Sequence, residues 1–388
     1  MRLAALRIID FKAFRDAVLD VSPLEVLVGA NGSGKSSVFE LLRFVRDSLE
    51  RDIPPEILPG FRGQFLYHPR SDDSRFGWQL FFQSDSTAVH SYEASVFAVP
   101  GRGAILSERV LKHPDGRQSP AVLTLIERTP DKVVFADSFP LYGVHNGKAP
   151  PNARRLTLSH VYDKGSRPLI DIRENIASWR FYASSRIDMA RIKNPALVEQ
   201  NASCEEDCGN LSAVLHHFMT EHPRVFDELL FRLGQVVPGF SGLTVWAYGS
   251  PGNVMAFWDE QGVPGRLSLG DLSEGTLRFL CWAAVLLHPA PPALVCLDEP
   301  DVGLHPRALP LLAALIKQAS ARMQIFVATH NSYFLSQFDL DSVTVLTKQD
   351  GQAAFRKPGE SKTLLGLLEE FGPEELDNLH RSDELEVL

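Results

Sequence analysis

Four cysteines in 388 residues are too few for a disulfide scaffold, and two of them, Cys281 and Cys296, lie in apolar runs where a reduced thiol is an ordinary small core residue. Long hydrophobic runs are missing too. The opening MRLAALRIIDFKAF carries Arg2 and Arg7 and holds no stretch long enough for a secretory signal. The longest apolar stretch, Cys281 to Leu297, is broken by His288 and prolines and falls short of the roughly 20 residues a membrane span requires. Together these absences predict a cytoplasmic protein with no membrane partner. No heptad pattern persists between residues 40 and 270, so no long coiled-coil arm is encoded. Positive charge is not in excess: a formal net charge of -9 argues against a chain coated with cations.

What is present is ample core material. Hydrophobic residues make up 44% and charged residues 22%, with 24 Phe and 5 Trp, enough for one large α/β domain with a second lobe. Charge is unevenly spread. Lys148 to Lys193 holds ten basic residues against four acidic ones, whereas Glu360 to Leu388 holds nine acidic against two basic. The basic stretch interleaves Arg154, Arg155, Arg167, Arg173, Arg180, Arg186, Arg191 and Lys193 with Trp179 and Tyr182. Such a pattern suits a nucleic-acid backbone with some base stacking, or equally the protein's own carboxylates.

Along the chain, LAALRIIDF, AVLDV and LEVLV read as strands, and the last runs directly into a glycine loop and then SSVFELLRFVRDSL, whose Val38, Leu41, Leu42 and Val45 recur at helical spacing. Short β-like runs follow, separated by Gly, Pro, Asp and Ser. Helical periodicity returns in NLSAVLHHFMTEH and PRVFDELLFRLGQVV, and a second strand patch holds LTVWAY and VMAFW. From about residue 270 onward helix and strand alternate. The spacing divides the chain into a core start at 1–60, an antiparallel β-rich subdomain at 61–158, a helical and mixed insertion at 159–260, a return to the core at 261–350 and an acidic helical segment at 351–388.

Two motifs carry chemistry. Gly29-Ala30-Asn31-Gly32-Ser33-Gly34-Lys35-Ser36 fits G-x-x-x-x-G-K-[ST] between a strand and a helix. Backbone amides from Asn31, Gly32, Ser33, Gly34 and the helix start through Ser37 would cradle ATP phosphates, Lys35 would face the β and γ phosphates, and the Ser36 hydroxyl would bind Mg²⁺. Leu294-Val295-Cys296-Leu297-Asp298-Glu299-Pro300 is an apolar strand ending in carboxylates, with Asp298 the expected Mg²⁺ ligand and Glu299 placed to polarise water. A third feature is weaker: Ser273 and Gly275 precede a helix starting near Thr276 and offer an anion a hydroxyl, amides and a helix dipole. Cys204 and Cys208 followed by His216 and His217 do not match a zinc spacing, since adjacent histidines diverge on a helix, and they read as structural.

In its motif order the chain resembles ABC-type head ATPases, specifically the RecF-like and SMC-like branch in its arm-less prokaryotic form. The opening through Val45, Leu272-Ser273-Glu274-Gly275-Thr276 at the signature position, Asp301-Val302-Gly303-Leu304-His305-Pro306 at the D-loop and Ala328-Thr329-His330 at the switch histidine carry the resemblance over residues 1 to 350. Glu274 and Thr276 depart from the transporter-type Gly and Gln.

The resemblance implies a P-loop NTPase of ABC head type, with a central mainly parallel sheet, an antiparallel β subdomain and a helical lobe. It implies Mg²⁺-dependent ATP hydrolysis in a homodimer paired head to tail, with Ser273 and Gly275 capping the γ-phosphate of the opposite copy. His330 would sense that phosphate, and Asp301 would relay closure. Gln64 or Gln79 would serve as Q-loop, Arg62 as an arginine finger, and Arg7 and Arg15 as phosphate or base contacts.

The ATP cycle is then expected to serve DNA repair or defence against foreign DNA, with DNA meeting the 148–193 segment, or to gate a separate effector protein. A transporter subunit is the weaker alternative, because 238 positions separate Lys35 from Ser273, far more than such subunits have.

Overall fold

The computed structural model describes residues 1–53, 74–84, 88–99, 102–136, 144–161 and 166–358. The chain divides into two compact units. Of the described residues, the first comprises those from Met1 to Trp179 and from Leu340 to 358, and the second those from Arg180 to Asp339.

In the first unit a seven-stranded antiparallel sheet runs in the order β2-β1-β4-β5-β6-β7-β8, from β1 (Arg2–Phe11), β2 (Phe14–Asp20), β4 (Arg75–Gln83), β5 (Val89–Val99), β6 (Arg102–His113), β7 (Leu123–Arg128) and β8 (Val133–Phe135). The N-terminal hairpin is therefore part of the β-rich sheet. β1 has one face to bury, and β4 supplies its partner through the register Ile8 to Trp78. Alternate residues Leu6 and Ile8 of β1 and Phe76, Trp78 and Leu80 of β4 turn inward. α1 (Lys35–Glu50) carries its Val38, Leu41, Leu42 and Val45 stripe into the core. Its Phe44 packs edge-on against Phe76 and Trp78, with ring centroids 5.2 and 5.8 Å away.

β3 (Leu24–Val28) is buried along its whole length, as a strand of a covered parallel sheet should be. Its parallel neighbour is β16 (Val343–Gln349), to which β17 (Gln352–Arg356) adds antiparallel. Residues 352–356 thus form a strand where sequence reading places the start of a helical tail, because a Gly351 turn at φ 80 folds them back onto β16. The rest of that segment, 359–388, lies outside the described residues.

The second unit holds parallel strands in the order β15-β14-β9, from β9 (Arg180–Ala183), β14 (Leu294–Asp298) and β15 (Gln324–Ala328). A smaller antiparallel sheet joins β10 (Ala196–Leu197), β12 (Asn253–Glu260) and β11 (Phe240–Ala247), with β13 (Leu267–Ser268) on β12. The helices in chain order are α2 (Arg167–Ala177) in the first unit, then α3 (Met189–Ile192), α4 (Leu211–Glu221), α5 (Pro223–Val236), α6 (Glu274–Leu287), α7 (Leu309–Ser320) and α8 (Ser332–Leu335) in the second. All ten residues Leu277 and Phe279 to Leu287 of α6 are buried, which makes it the central helix of its unit. Among the described residues no helix is long and apolar enough to cross a membrane.

Candidate functional site

The glycine loop joins β3 to α1. Its turns require glycine: Gly29, Gly32 and Gly34 have φ of 145, 80 and 115. At Gly29 an added Cβ would lie 2.4 Å from the Leu346 carbonyl oxygen, so β16 closes one wall of the loop. At Gly32 nothing lies within 4 Å, which leaves that side open to a ligand.

The residues fit a polyphosphate. α1 begins behind Gly34 with no side-chain cap and no acidic residue in its first turn, so neither a capping side chain nor a first-turn carboxylate competes with an anion there. The Ser33 hydroxyl is buried with no hydrogen-bond partner among the described residues. Lys35, itself buried, donates from Nζ to the carbonyl oxygens of Gly29 and Ala30 at 2.5 and 3.0 Å. Asn31 and Ser36 are exposed and Ser37 is half-buried.

The second unit carries the carboxylates. β14 is buried up to Leu297, leaves Asp298 half-buried at its end and exposes Glu299. Glu299 has φ 51, a left-handed conformation that costs a non-glycine residue about 1–3 kcal/mol. Its amide donates to Ala328 O at 2.8 Å, and its carbonyl accepts the Ser184 hydroxyl. Asp301 is buried and accepts from the Thr329 hydroxyl at 2.8 Å, which in turn accepts the Asn331 amide at 3.0 Å. Asp301 is thereby bonded to the turn that holds the exposed His330.

Ser273 caps α6: its hydroxyl accepts the Thr276 amide at 3.2 Å and lies 2.8 Å from the Thr276 hydroxyl. Just before it, Ser268 and Asp271 form a reciprocal capping box, and hydrogen bonds from the Ser268 hydroxyl and amide hold the Asp271 carboxyl below its usual range. A Cβ at Gly275 would sit 2.8 Å from Gly303 O, so the signature turn and the 301–304 loop pack backbone to backbone.

Three contributors were not singled out from sequence. Ser184 immediately follows β9, Arg278 lies on α6, and Thr329 stands beside the noted His330. A polar residue at a strand end is the only sequence signal for Ser184, and Arg278 reads as an ordinary helix surface cation.

Other candidates land elsewhere. Arg62 and Gln64 lie outside the described residues. Gln79 sits half-buried in β4, Arg15 is exposed on β2, and Arg7 is bound to Asp16 by two hydrogen bonds of 2.8 and 2.7 Å. In the first unit's share of the basic stretch, Arg154 donates to Ile53 O, Arg167 pairs with Asp171, and Trp179 is fully buried. In the second unit's share, Arg191 is tied to Glu205 and Asp207, and Tyr182 is buried with its hydroxyl on Cys204 O at 2.9 Å. The aromatics are core residues there, not stacking platforms.

Cys204 and Cys208 meet Cys281 of α6 in the interior. Hydrogen bonds from the other two thiols push Cys208 down to about 5, and the same bonds, with burial, push Cys204 and Cys281 well up. His217 packs instead against His222 and His288, with ring centroids 4.9 and 6.4 Å away. Among the described residues no group of His, Cys, Asp and Glu is arranged to hold a metal ion by itself.

Smc head domains are among the solved structures that share the fold. A crystal structure of the SmcHead bound to the C-winged helix domain of ScpA superposes with a TM-score of 0.58 at 16% identity, covering 92% of this chain and 98% of that one. The Smc head domain with an extended coiled coil bound to the C-terminal domain of ScpA, from Pyrococcus furiosus, gives 0.55 at 13% identity, covering 95% and 99%. No curated protein matches the sequence. Residues 25–336 match the family model described as AAA domain, putative AbiEii toxin, Type IV TA system, and a match over that much of the chain means that the protein belongs to this AAA_21 family of ATPase-like domains.

Proposed function

We propose that the protein is an ATP-hydrolysing head that works as a homodimer in defence against foreign DNA, with the ATP state read by a partner protein. The observation that carries the reading is the glycine loop. A helix N-terminus without a side-chain cap, a buried Ser33 hydroxyl with no partner among the described residues and a buried Lys35 that donates to carbonyls of its own loop suit a nucleotide polyphosphate. Asn31 to Ser37 would bind the phosphates. Ser36 and Asp298 would hold Mg²⁺, which supplies charge neutralisation at the transferring phosphoryl group. Glu299 would accept hydrogen bonding from water and orient it, with His330 contacting the terminal phosphate. Ser273 and Gly275 would serve the nucleotide of the second copy, with Asp301 relaying closure.

Defence is favoured over general repair because the family description names a toxin of a Type IV TA system. A protein reader is favoured over direct DNA contact by residues 148–193, because Trp179 and Tyr182 are buried and Arg167 and Arg191 are paired with carboxylates. The similar Smc heads, each bound to a ScpA domain, support the same choice.

ATP turnover measured with and without single- and double-stranded DNA, beside size analysis of Glu299→Gln with ATP, tests this. The expected result is Glu299→Gln trapped as an ATP-bound dimer and a rate indifferent to DNA. A monomeric Glu299→Gln with ATP bound, or full turnover in Ser273→Arg, would refute the paired-head mechanism.

A further inference from the structure

We propose that Ser184 and Arg278 position Glu299 and tie its backbone to the first turn of α6, so that the state of the Ser273 end governs the water-orienting end. This rests on the assignment of Glu299 above. Ser184 immediately follows β9, whose Ala183 is in parallel register with Asp298. Its hydroxyl donates to Glu299 O, while its own carbonyl accepts Arg278 Nη1 at 2.6 Å. Arg278 lies five residues after Ser273 on α6 and is largely covered, its side chain 15% exposed. A Cβ at Gly303 would come within 2.9 Å of Arg278 Nε, and Glu274 lies 4.0 Å from Nη2. One guanidinium therefore touches the start of α6, the Ser184 turn and the loop after Glu299.

The physical consequence follows from the Glu299 backbone. A left-handed glutamate persists only where its surroundings over-determine it, and here the holding bonds are Ala328 O on its amide and Ser184 Oγ on its carbonyl, with the Val302 amide also on that carbonyl at 3.2 Å. Without the Ser184 bond the peptide relaxes and the carboxylate moves. A shift of about 1 Å in a reacting group costs on the order of a hundred-fold in rate. Because Arg278 grips the Ser184 carbonyl, any movement of the α6 first turn reaches Glu299 by the same route.

Steady-state ATP turnover of Ser184→Ala, Ser184→Thr, Arg278→Met and the double variant tests the link, with the ATP-induced rise in melting temperature followed in parallel. Ser184→Ala is expected to lower kcat by about ten-fold or more with KM and the melting shift unchanged, Ser184→Thr to restore kcat, and the double variant to be no worse than the poorer single one. A kcat for Ser184→Ala within about twofold of the unaltered protein, while Glu299→Gln abolishes turnover, overturns the link and leaves Glu299 assigned. Loss of kcat together with the melting shift marks a general structural role and also overturns it, with Arg278→Lys as the milder check if Arg278→Met does not fold. Turnover by Glu299→Gln at the unaltered rate removes the assignment and the link together.

Discussion

Lys35 rests on its own loop, its Nζ donating to the Gly29 carbonyl at 2.5 Å. Carbonyls accept from a buried ammonium without cancelling its charge, so an incoming phosphate would meet a cation there. Lys35→Met should therefore fold but lose the rise in melting temperature that ATP produces. For the unaltered protein that rise corresponds to about 2.7 kcal/mol at a ligand concentration a hundred times Kd. A normal ATP-induced shift in Lys35→Met would remove this lysine from nucleotide binding.

The left-handed backbone of Glu299 predicts an ordering of variants that no side-chain contact would give. Glycine adopts φ 51 without the Cβ clash that alanine retains, so Glu299→Gly should be more stable than Glu299→Ala by about 1 kcal/mol, against the usual cost of glycine. Both should be inactive in ATP turnover. Thermal or urea denaturation of the pair decides the matter, and an alanine variant as stable as the glycine one would mean that the conformation is not held in solution.

Glycines of the same loop separate in the same way. A methyl at Gly29 would collide with the Leu346 carbonyl of β16, whereas one at Gly32 meets open space. Gly29→Ala should lose stability by more than about 2 kcal/mol through displaced backbone, and Gly32→Ala by about 1 kcal/mol through its positive φ alone. Equal losses in chemical denaturation would contradict the close approach of β16 to the loop.

These contrasts also mark what sequence could reveal. The order of β3, glycine loop and α1 was readable because LEVLV is a continuous apolar run apart from one glutamate, and the stripe from Val38 to Val45 has helical period. What that one glutamate does was not readable. Glu25 is fully buried and accepts from the Ser22 amide, the Thr344 hydroxyl and Lys357, the last two more than 300 positions away. Ser184 and Arg278 escaped for the same reason, since 94 positions separate them. The interleaved cations and aromatics around Trp179 failed differently. Alternation in sequence is the same for a solvated platform and for a strand entering a core, and only packing distinguishes them.

The last prediction concerns acid. His90 on β5 is buried, and neither ring nitrogen has a hydrogen-bond partner among the described residues. Burial first, then Lys112 directly opposite on β6 and nearby His113, hold its pKa below the ordinary 6.5, and Asp171 of α2 only partly offsets them. The unfolded chain therefore binds the proton more readily than the folded one. Stability is complete above about pH 6.5 and falls as pH drops from there toward the lower folded-state pKa. His217, lowered by burial and by His222 and His288, adds to the same decline. His90→Leu removes both the proton site and the orphaned nitrogens, and should raise stability at pH 5.5 by about 1–3 kcal/mol while flattening the acid limb of the stability profile. Denaturation midpoints measured between pH 5 and 8 give the answer: an unchanged slope would show that His90 is solvated in the folded protein.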